Sequence, residues 1–344
     1  MISVAIATYN GEKYIHHQLL SIYNQSRPVD EVVISDDGST DQTVTIVQSF
    51  IEKHCLEKWF VVVNKENLGF SSNFLSAVKK TTGDIIFLSD QDDVWEVDKV
   101  EIMSSIMLSD DTICSLASQY STINSDGKLI NKNVAQCKFN KNDIISKISV
   151  EYMIGSSVVR GCTMCINKRV REVIKKDLDD LPLNSSLGHD WYLSMIASII
   201  GENYFLNRCL MRYRIHDSNA SLGRLRKNTI LTSTNDLRNK SLQQIIVAHQ
   251  YLLNTEYLCG RLTDRQKSLI LKIICFFETR LKFTTSCNVL IWFYLLLEIS
   301  SYYQCVKQAK GAIQLYLADL LYAYNINWRL TGTTPDGRNV NYDS

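Results

Sequence analysis

Asp90, Asp92 and Asp93 follow directly on Ile85-Ile86-Phe87-Leu88, a four-residue apolar run with the character of a buried strand. Carboxylates crowded at the mouth of a buried strand repel one another unless a cation or a set of donors sits among them. Oxygen ligands of this kind suit Mg²⁺ or Mn²⁺, ions that also hold substrate phosphates. The plainer alternative is a solvated acidic loop. Other polar groups along the chain favour the chemical reading: Thr8-Tyr9-Asn10, Asp36-Asp37-Gly38-Ser39, Asn67 and Gly69, and later Asp190 and His216.

These groups need elements to hold them. Val4 to Thr8, Glu31 to Ser35, Phe60 to Val63 and Ile85 to Leu88 read as strands. Between them lie helical patterns. Asn10 can cap a helix bearing Tyr14, Leu19 and Ile22. Ser39-Thr40-Asp41-Gln42 is a capping-box pattern before Val44, Val47 and Ile51. Ser71 or Ser72 can start a helix that runs through Lys80 and is ended by Gly83. This alternation predicts an α/β fold, a mainly parallel sheet flanked by helices. In such sheets ligands bind beyond the carboxyl ends of the strands. The polar groups fall at those ends, and their convergence is more specific than any one motif.

Val158 to Ile166 reads as a further strand, which would put Cys162 and Cys165 on opposite faces as packing residues. Leu187-Gly188-His189-Asp190-Trp191 opens a helix continuing to Ile200, and Arg208 to Ile215 returns as a strand before His216. After Gly223 the pattern turns helical, with Leu242, Ile245, Ile246, His249 and Leu252 at helical spacing and a capping box at Thr263-x-x-Gln266. The expected division is an α/β domain over 1–223, a helical region over 224–330 and a polar tail over 331–344.

The 344 residues suffice for one large domain plus an appendage, and 45% hydrophobic content supports a folded core. A net charge of +1 argues against nucleic acid held by a global positive field. The ten cysteines include one Cys-x-x-Cys pair, with no second pair to complete a zinc site. Scattered cysteines, and a first strand in place of a leader, suggest a cytoplasmic protein. Val289 to Leu297 is very apolar but too short to span a bilayer.

The set Ala7-Thr8-Tyr9-Asn10-Gly11, Ser35-Asp36-Asp37-Gly38-Ser39-Thr40-Asp41, Asn67-Leu68-Gly69 and Ser89-Asp90-Gln91-Asp92-Asp93-Val94-Trp95 resembles the family 2 glycosyltransferases of the GT-A nucleotide-sugar fold. His189-Asp190-Trp191 stands where that family has its catalytic acidic motif, and Tyr213-Arg214-Ile215-His216 matches near its end. The resemblance covers about the first two thirds of the chain. The Ser-Asp-Gln-Asp-Asp-x-Trp form is most similar to bacterial rhamnosyltransferases of O-antigen, capsule or cell-wall polysaccharide synthesis. It implies 1–223 as the transferase domain, and a donor site including Thr8, Tyr9, Asn10, Glu12, Asp36, Asp37, Asn67, Gly69, Asn73, Asp90, Gln91 and Arg214. It also implies a donor linked to thymidine or uridine diphosphate, Mn²⁺ or Mg²⁺ as cofactor, and a glycan acceptor carried on a lipid.

The chemistry fits these residues. Asp36 can accept from the N3–H of uracil or thymine, or serve only a turn and helix cap. Asp90 approaches the ribose, and Asp92 binds the metal that bridges the phosphates. Asp190 is the general base of an inverting transfer, placed at a helix start whose dipole favours its charge; an N-cap aspartate is the alternative. The family often has Glu-Asp where this chain has His189-Asp190, which leaves position 189 open. His216 can add a metal ligand or be a solvated loop histidine. Arg214 can neutralise diphosphate charge or pair with an acidic neighbour. Asp93, Trp95, His189 and Trp191 back the site or face the acceptor. A nucleotide-sugar binding module without turnover and a sugar nucleotidyltransferase are the competing classes. For the helical region the aromatics Phe276, Phe277, Phe283, Trp292, Phe293 and Tyr294 suggest a core or a homodimer interface. The basic set Arg224, Arg226, Lys227, Arg238 and Lys240 suggests peripheral membrane contact.

Overall fold

The computed structural model describes residues 1–134, 144–155, 159–177, 188–219, 235–298, 316, 317, 319 and 320. The chain divides into two units, Met1–Met153 with Ser157–Arg214, and Ile154–Ser156 with Ile215–Ser344. The expected boundary at Gly223 lies outside the described residues, as do Arg224, Arg226, Lys227 and the tail 331–344.

The first unit begins with β1 (Ile2–Thr8), α1 (Ile15–Tyr23), β2 (Glu31–Asp36), α2 (Thr43–Lys53), β3 (Trp59–Val63), α3 (Phe70–Lys80) and β4 (Ile85–Asp90). β1 pairs in parallel with β2 and β4, and β2 with β3. The first two strands are buried along their whole length, as strands covered on both faces must be. Then come β5 (Val94–Trp95), α4 (Lys99–Ser109), β6 (Ile113–Ile123), β7 (Leu129–Val134), β8 (Ile145–Ile148), a 3-10 turn (Gly161–Thr163), β9 (Met164–Asn167), α6 (Lys168–Asp177), α7 (His189–Ile200) and β10 (Glu202–Arg214). Between β8 and the turn lies α5 (Val150–Gly155). The strand order is β3-β2-β1-β4-β9-β6-β10-β5, with β7 on β6 and β8 on β10.

The first half of the sheet is wholly parallel and the second half is mixed. β9 lies between β4 and β6, antiparallel to both, and β5 and β8 pair antiparallel with β10. β6 and β10 are parallel. The expected α/β fold with a central sheet flanked by helices is present, and the sheet is mixed: β9, only four residues long, inserts antiparallel between β4 and β6. The order β3-β2-β1-β4 reverses direction of travel at β1, the place where such sheets open a crevice at their carboxyl edge.

The polar residues read as helix caps do other work. α1 starts at Ile15, and Asn10 sits at φ 48 with its Oδ1 accepting from Thr40 N–H. α2 starts at Thr43 because Asp41 Oδ1 takes the Thr43 N–H and hydroxyl, while Ser39 turns back to Asp36. α3 starts at Phe70, after Gly69 at φ 78 and before either serine. Asn, Asp and Ser bond local backbone equally well outside helices, so tertiary partners choose between the two uses.

The second unit holds α8 (Asn235–Asn254), α9 (Glu256–Cys259), α10 (Asp264–Ser286) and α11 (Val289–Leu297). Thr263 and Gln266 form the expected capping box at α10. Phe276, Phe277 and Phe283 are buried, and Arg280 makes a bidentate pair with Asp319, both nearly fully enclosed. Trp292 of α11 stacks on Tyr316, whereas Leu290, Phe293, Tyr294 and Leu297 are exposed. No helix among the described residues is long and apolar enough to cross a membrane.

Candidate active site

The carboxyl ends of β1, β2 and β4 meet in register: Thr8 lies beside Asp36, and Ala7 beside Asp90. Asp36 is 0% exposed. Its carboxylate accepts from the Thr8 hydroxyl at 2.7 Å, the Ser39 N–H at 2.8 Å and the Ser39 hydroxyl at 2.6 Å. These contacts tie Asp36 to the end of β1 and to the loop that follows β2. Asp37 is buried too, and accepts from Leu68 N–H, Gly69 N–H and Asn64 Nδ2. Asn67 donates to Asp37 O and accepts from Gly69 N–H. Asn73, expected to touch donor, is buried and donates to the Thr8 and Ser35 carbonyls. These residues build the wall of the crevice from behind.

The residues that face outward are fewer. Tyr9 is 50% exposed, and Gln91 clamps its backbone, accepting from Tyr9 N–H at 2.9 Å and donating to Tyr9 O at 3.1 Å. A side chain at Gly11 would run into that amide, which explains the glycine. Glu12 Oε2 accepts from Gln42 N–H, and Glu12 N–H donates to Asp41, so Glu12 joins the β1 loop to α2.

Asp90 is half-buried, while Asp92 and Asp93 are buried. Burial pushes the Asp90 carboxyl up to about 7, with the charges of Asp92 and Asp190 adding to the rise and Arg160 opposing it. Asp93 stands well above the usual carboxylate range through burial and through Asp92 and Asp90; the Arg214 N–H and the Cys162 thiol oppose this. Asp90, Asp93 and Cys162 offer ligand atoms within 4.8 Å of one another. Cys162 belongs to the 3-10 turn, not to a strand, so the alternation argument does not apply to it. Its partner Cys165 is a buried strand residue.

Arg214 meets an acidic neighbour through its backbone, its N–H donating to Asp93 Oδ1 at 3.0 Å. Its guanidinium donates to backbone carbonyls: Nε to Asp92 O at 2.8 Å, and Nη1 to Asn124 O and Ser125 O. It lies over the Tyr14 ring and is 4% exposed. It pins the acidic loop.

Asp190 lies in the first turn of α7, where its Oδ1 accepts from Trp191 N–H at 2.8 Å. His189 is buried and stacked on Phe74, centroids 4.0 Å apart, so it supports α7 from behind and is out of an acceptor's reach. Trp191 is half-buried and donates to Met153 O. Trp95 is buried, below the Lys99 ammonium. His216 belongs to the second unit; its Nδ1 contacts Ser218 Oγ and its Nε2 the Asn219 amide.

Two cations escaped the sequence reading. Lys99 is fully buried and donates to Cys162 O at 2.9 Å; burial lowers its pKa to about 8. Trp95 ends β5 and Lys99 begins α4, so no helical spacing announces the pair. Arg160 donates from Nε to the Tyr120 hydroxyl at 3.1 Å, and nothing in the sequence around it marks it.

Residues 3–169 match the family model described as glycosyl transferase family 2. Over 227 residues the chain is 30% identical to the dTDP-rhamnosyl transferase RfbG of Shigella flexneri, covering 62% of this chain and 72% of that one. It is 32% identical over 221 residues to the putative teichuronic acid biosynthesis glycosyltransferase TuaG of Bacillus subtilis, covering 64% and 81%. Among solved structures, residues 1–349 of S. aureus TarS in complex with UDP-GlcNAc superpose with a TM-score of 0.59 at 17% identity, covering 95% of this chain and 89% of that one. That likeness concerns the fold.

Proposed function

Because the chain belongs to glycosyl transferase family 2 and transfers a sugar from a nucleotide donor, we propose that it does so with inversion, Asp190 acting as general base. The observation that supports this reading is that Asp190 lies in the first turn of α7 and Asp90 at the end of β4, a hundred residues apart in sequence yet near enough for the charge of one to act on the other. Asp190 takes the proton of an acceptor hydroxyl as its oxygen attacks the anomeric carbon opposite the leaving nucleoside diphosphate.

The residues present fit a divalent metal. Asp90 and Asp93 are held above the ordinary carboxylate range by burial and then by the charge of Asp92, and a hard cation would relieve that repulsion. Asp92 and Asp90 would hold Mg²⁺ or Mn²⁺, which neutralises diphosphate charge when bound.

For the donor, a thymidine-diphosphate sugar with rhamnose is the reading the S. flexneri relative's name supports. The acceptor is a glycan of a surface polysaccharide, in keeping with the B. subtilis relative's name. The exposed apolar residues of α11 would meet either a second copy or a membrane, and vesicle flotation beside light scattering separates the two.

The test is the product. Incubation with dTDP-rhamnose, Mn²⁺ and a rhamnose-accepting glycan should release dTDP, not pyrophosphate, and NMR should show an inverted anomeric centre. Retained configuration overturns the mechanism; pyrophosphate release would assign a nucleotidyltransferase; binding without turnover would leave a binding module.

A further inference from the structure

We infer that Arg160 forms an oxyanion subsite in the crevice, receiving a phosphate or carboxylate group of a substrate. The inference rests on the sugar-transfer reading and adds a contact that the acidic motifs do not supply.

The backbone around Arg160 is pinned. Its carbonyl accepts from Thr163 N–H at 3.0 Å and from the Thr163 hydroxyl at 2.7 Å, and two residues on, Cys162 O accepts from Lys99. The side chain is aimed as firmly. Nε donates to Tyr120 OH on β6, and the guanidinium lies 4.8 Å from the ring centre of Tyr213 on β10 and 5.6 Å from that of Tyr120. Those two rings meet edge to face at 5.7 Å. An arginine laid against aromatic faces keeps its planar fork in a fixed orientation, which is the geometry that recognises phosphate and carboxylate.

Charge argues for the same use. A substrate anion entering here meets Asp90, Asp92 and Asp190. Among the described cations beside that cluster, Lys99 is fully buried on a carbonyl and Arg214 is buried on three. Arg160 is half-buried. It stands two residues before Cys162, whose Sγ lies within 4.8 Å of carboxylate oxygens of Asp90 and Asp93. It therefore combines a fixed orientation, access and the required sign.

The donor diphosphate and an acidic acceptor sugar present the same chemistry, so the experiment separates them. Affinities of the full chain with Mg²⁺ are measured for dTDP, thymidine, methyl glucuronide and methyl glucoside. Arg160→Met should weaken dTDP about 10- to 100-fold and leave thymidine unchanged if the phosphate is the ligand. It should instead weaken the glucuronide and not the glucoside if the carboxylate is. Arg160→Lys should keep part of the affinity, and Tyr120→Phe should lose a few fold by releasing Nε. Should Arg160→Met not fold, the last two variants carry the comparison. Changes below twofold on both dTDP and glucuronide overturn the inference. Failure of the unaltered chain to bind any nucleoside diphosphate would overturn the sugar-transfer reading instead.

Discussion

The backbone N–H of Arg214, at the end of β10, donates to Asp93 Oδ1 at 3.0 Å across 121 residues of sequence. The same residue's guanidinium holds the Asp92 carbonyl. One residue thus fastens the acidic loop after β4 to the far half of the sheet. Removing the guanidinium leaves buried carbonyls without donors. Arg214→Ala should lose about 2 to 4 kcal/mol of stability in urea unfolding. The folded fraction should keep its affinity for dTDP; a loss of nucleotide affinity at unchanged stability would restore the diphosphate role.

Asp190→Asn keeps the size of the side chain and removes the base. Turnover should fall about a hundredfold or more, while dTDP affinity stays within a few fold. Steady-state kinetics beside calorimetry check both halves. Wild-type turnover would remove Asp190 from the mechanism.

Asp92→Ala should make dTDP binding insensitive to Mn²⁺ and Mg²⁺ and nearly abolish transfer. In the unaltered chain, metal and dTDP together should raise Tm more than either alone, with the rise growing with ligand concentration. A metal-dependent shift that survives in Asp92→Ala would place the cation on other residues.

Lys99 sets a pH dependence at the alkaline end. Its pKa is lowered by burial to about 8 from an ordinary 10.5, with nearby Cys162, Asp93, Cys165 and Asp90 opposing the fall. Between those values the unfolded chain binds the proton that the folded chain has released. The cost of the buried ammonium is therefore full below about pH 8 and fades as pH rises toward 10.5. Relative to Lys99→Met, the unaltered chain should gain up to about 1.4 kcal/mol per pH unit across that window. Urea midpoints at pH 8, 9 and 10 measure the difference, and a constant difference would mean Lys99 titrates normally.

Much of the first half was legible from local pattern. Apolar runs at Val4, Val32, Val61 and Ile86 set strands, and helical periodicity between them implied their parallel arrangement, while the β3-β2-β1-β4 order came from the structure. Both signals come from residues a few positions apart, which is why one chain suffices to see them. Asp90, Asp92 and Asp190 were candidates for the same reason: their residue types and element ends are visible locally.

What each polar side chain does was decided only by the tertiary structure. Asp36, Asn73 and Arg214 have the residue types of ligands, yet their hydrogen-bonding atoms face other strands and loops. Burial and hydrogen-bond pairing depend on partners tens to more than a hundred residues distant, and no spacing rule carries that information. The four-residue β9 was too short to announce its antiparallel direction. Lys99 and Arg160 gain their importance solely from the carboxylates the fold sets near them. The sequence by itself determined the family, the strand ends and the acidic chemistry; packing determined which of those acids face the crevice and which cations accompany them.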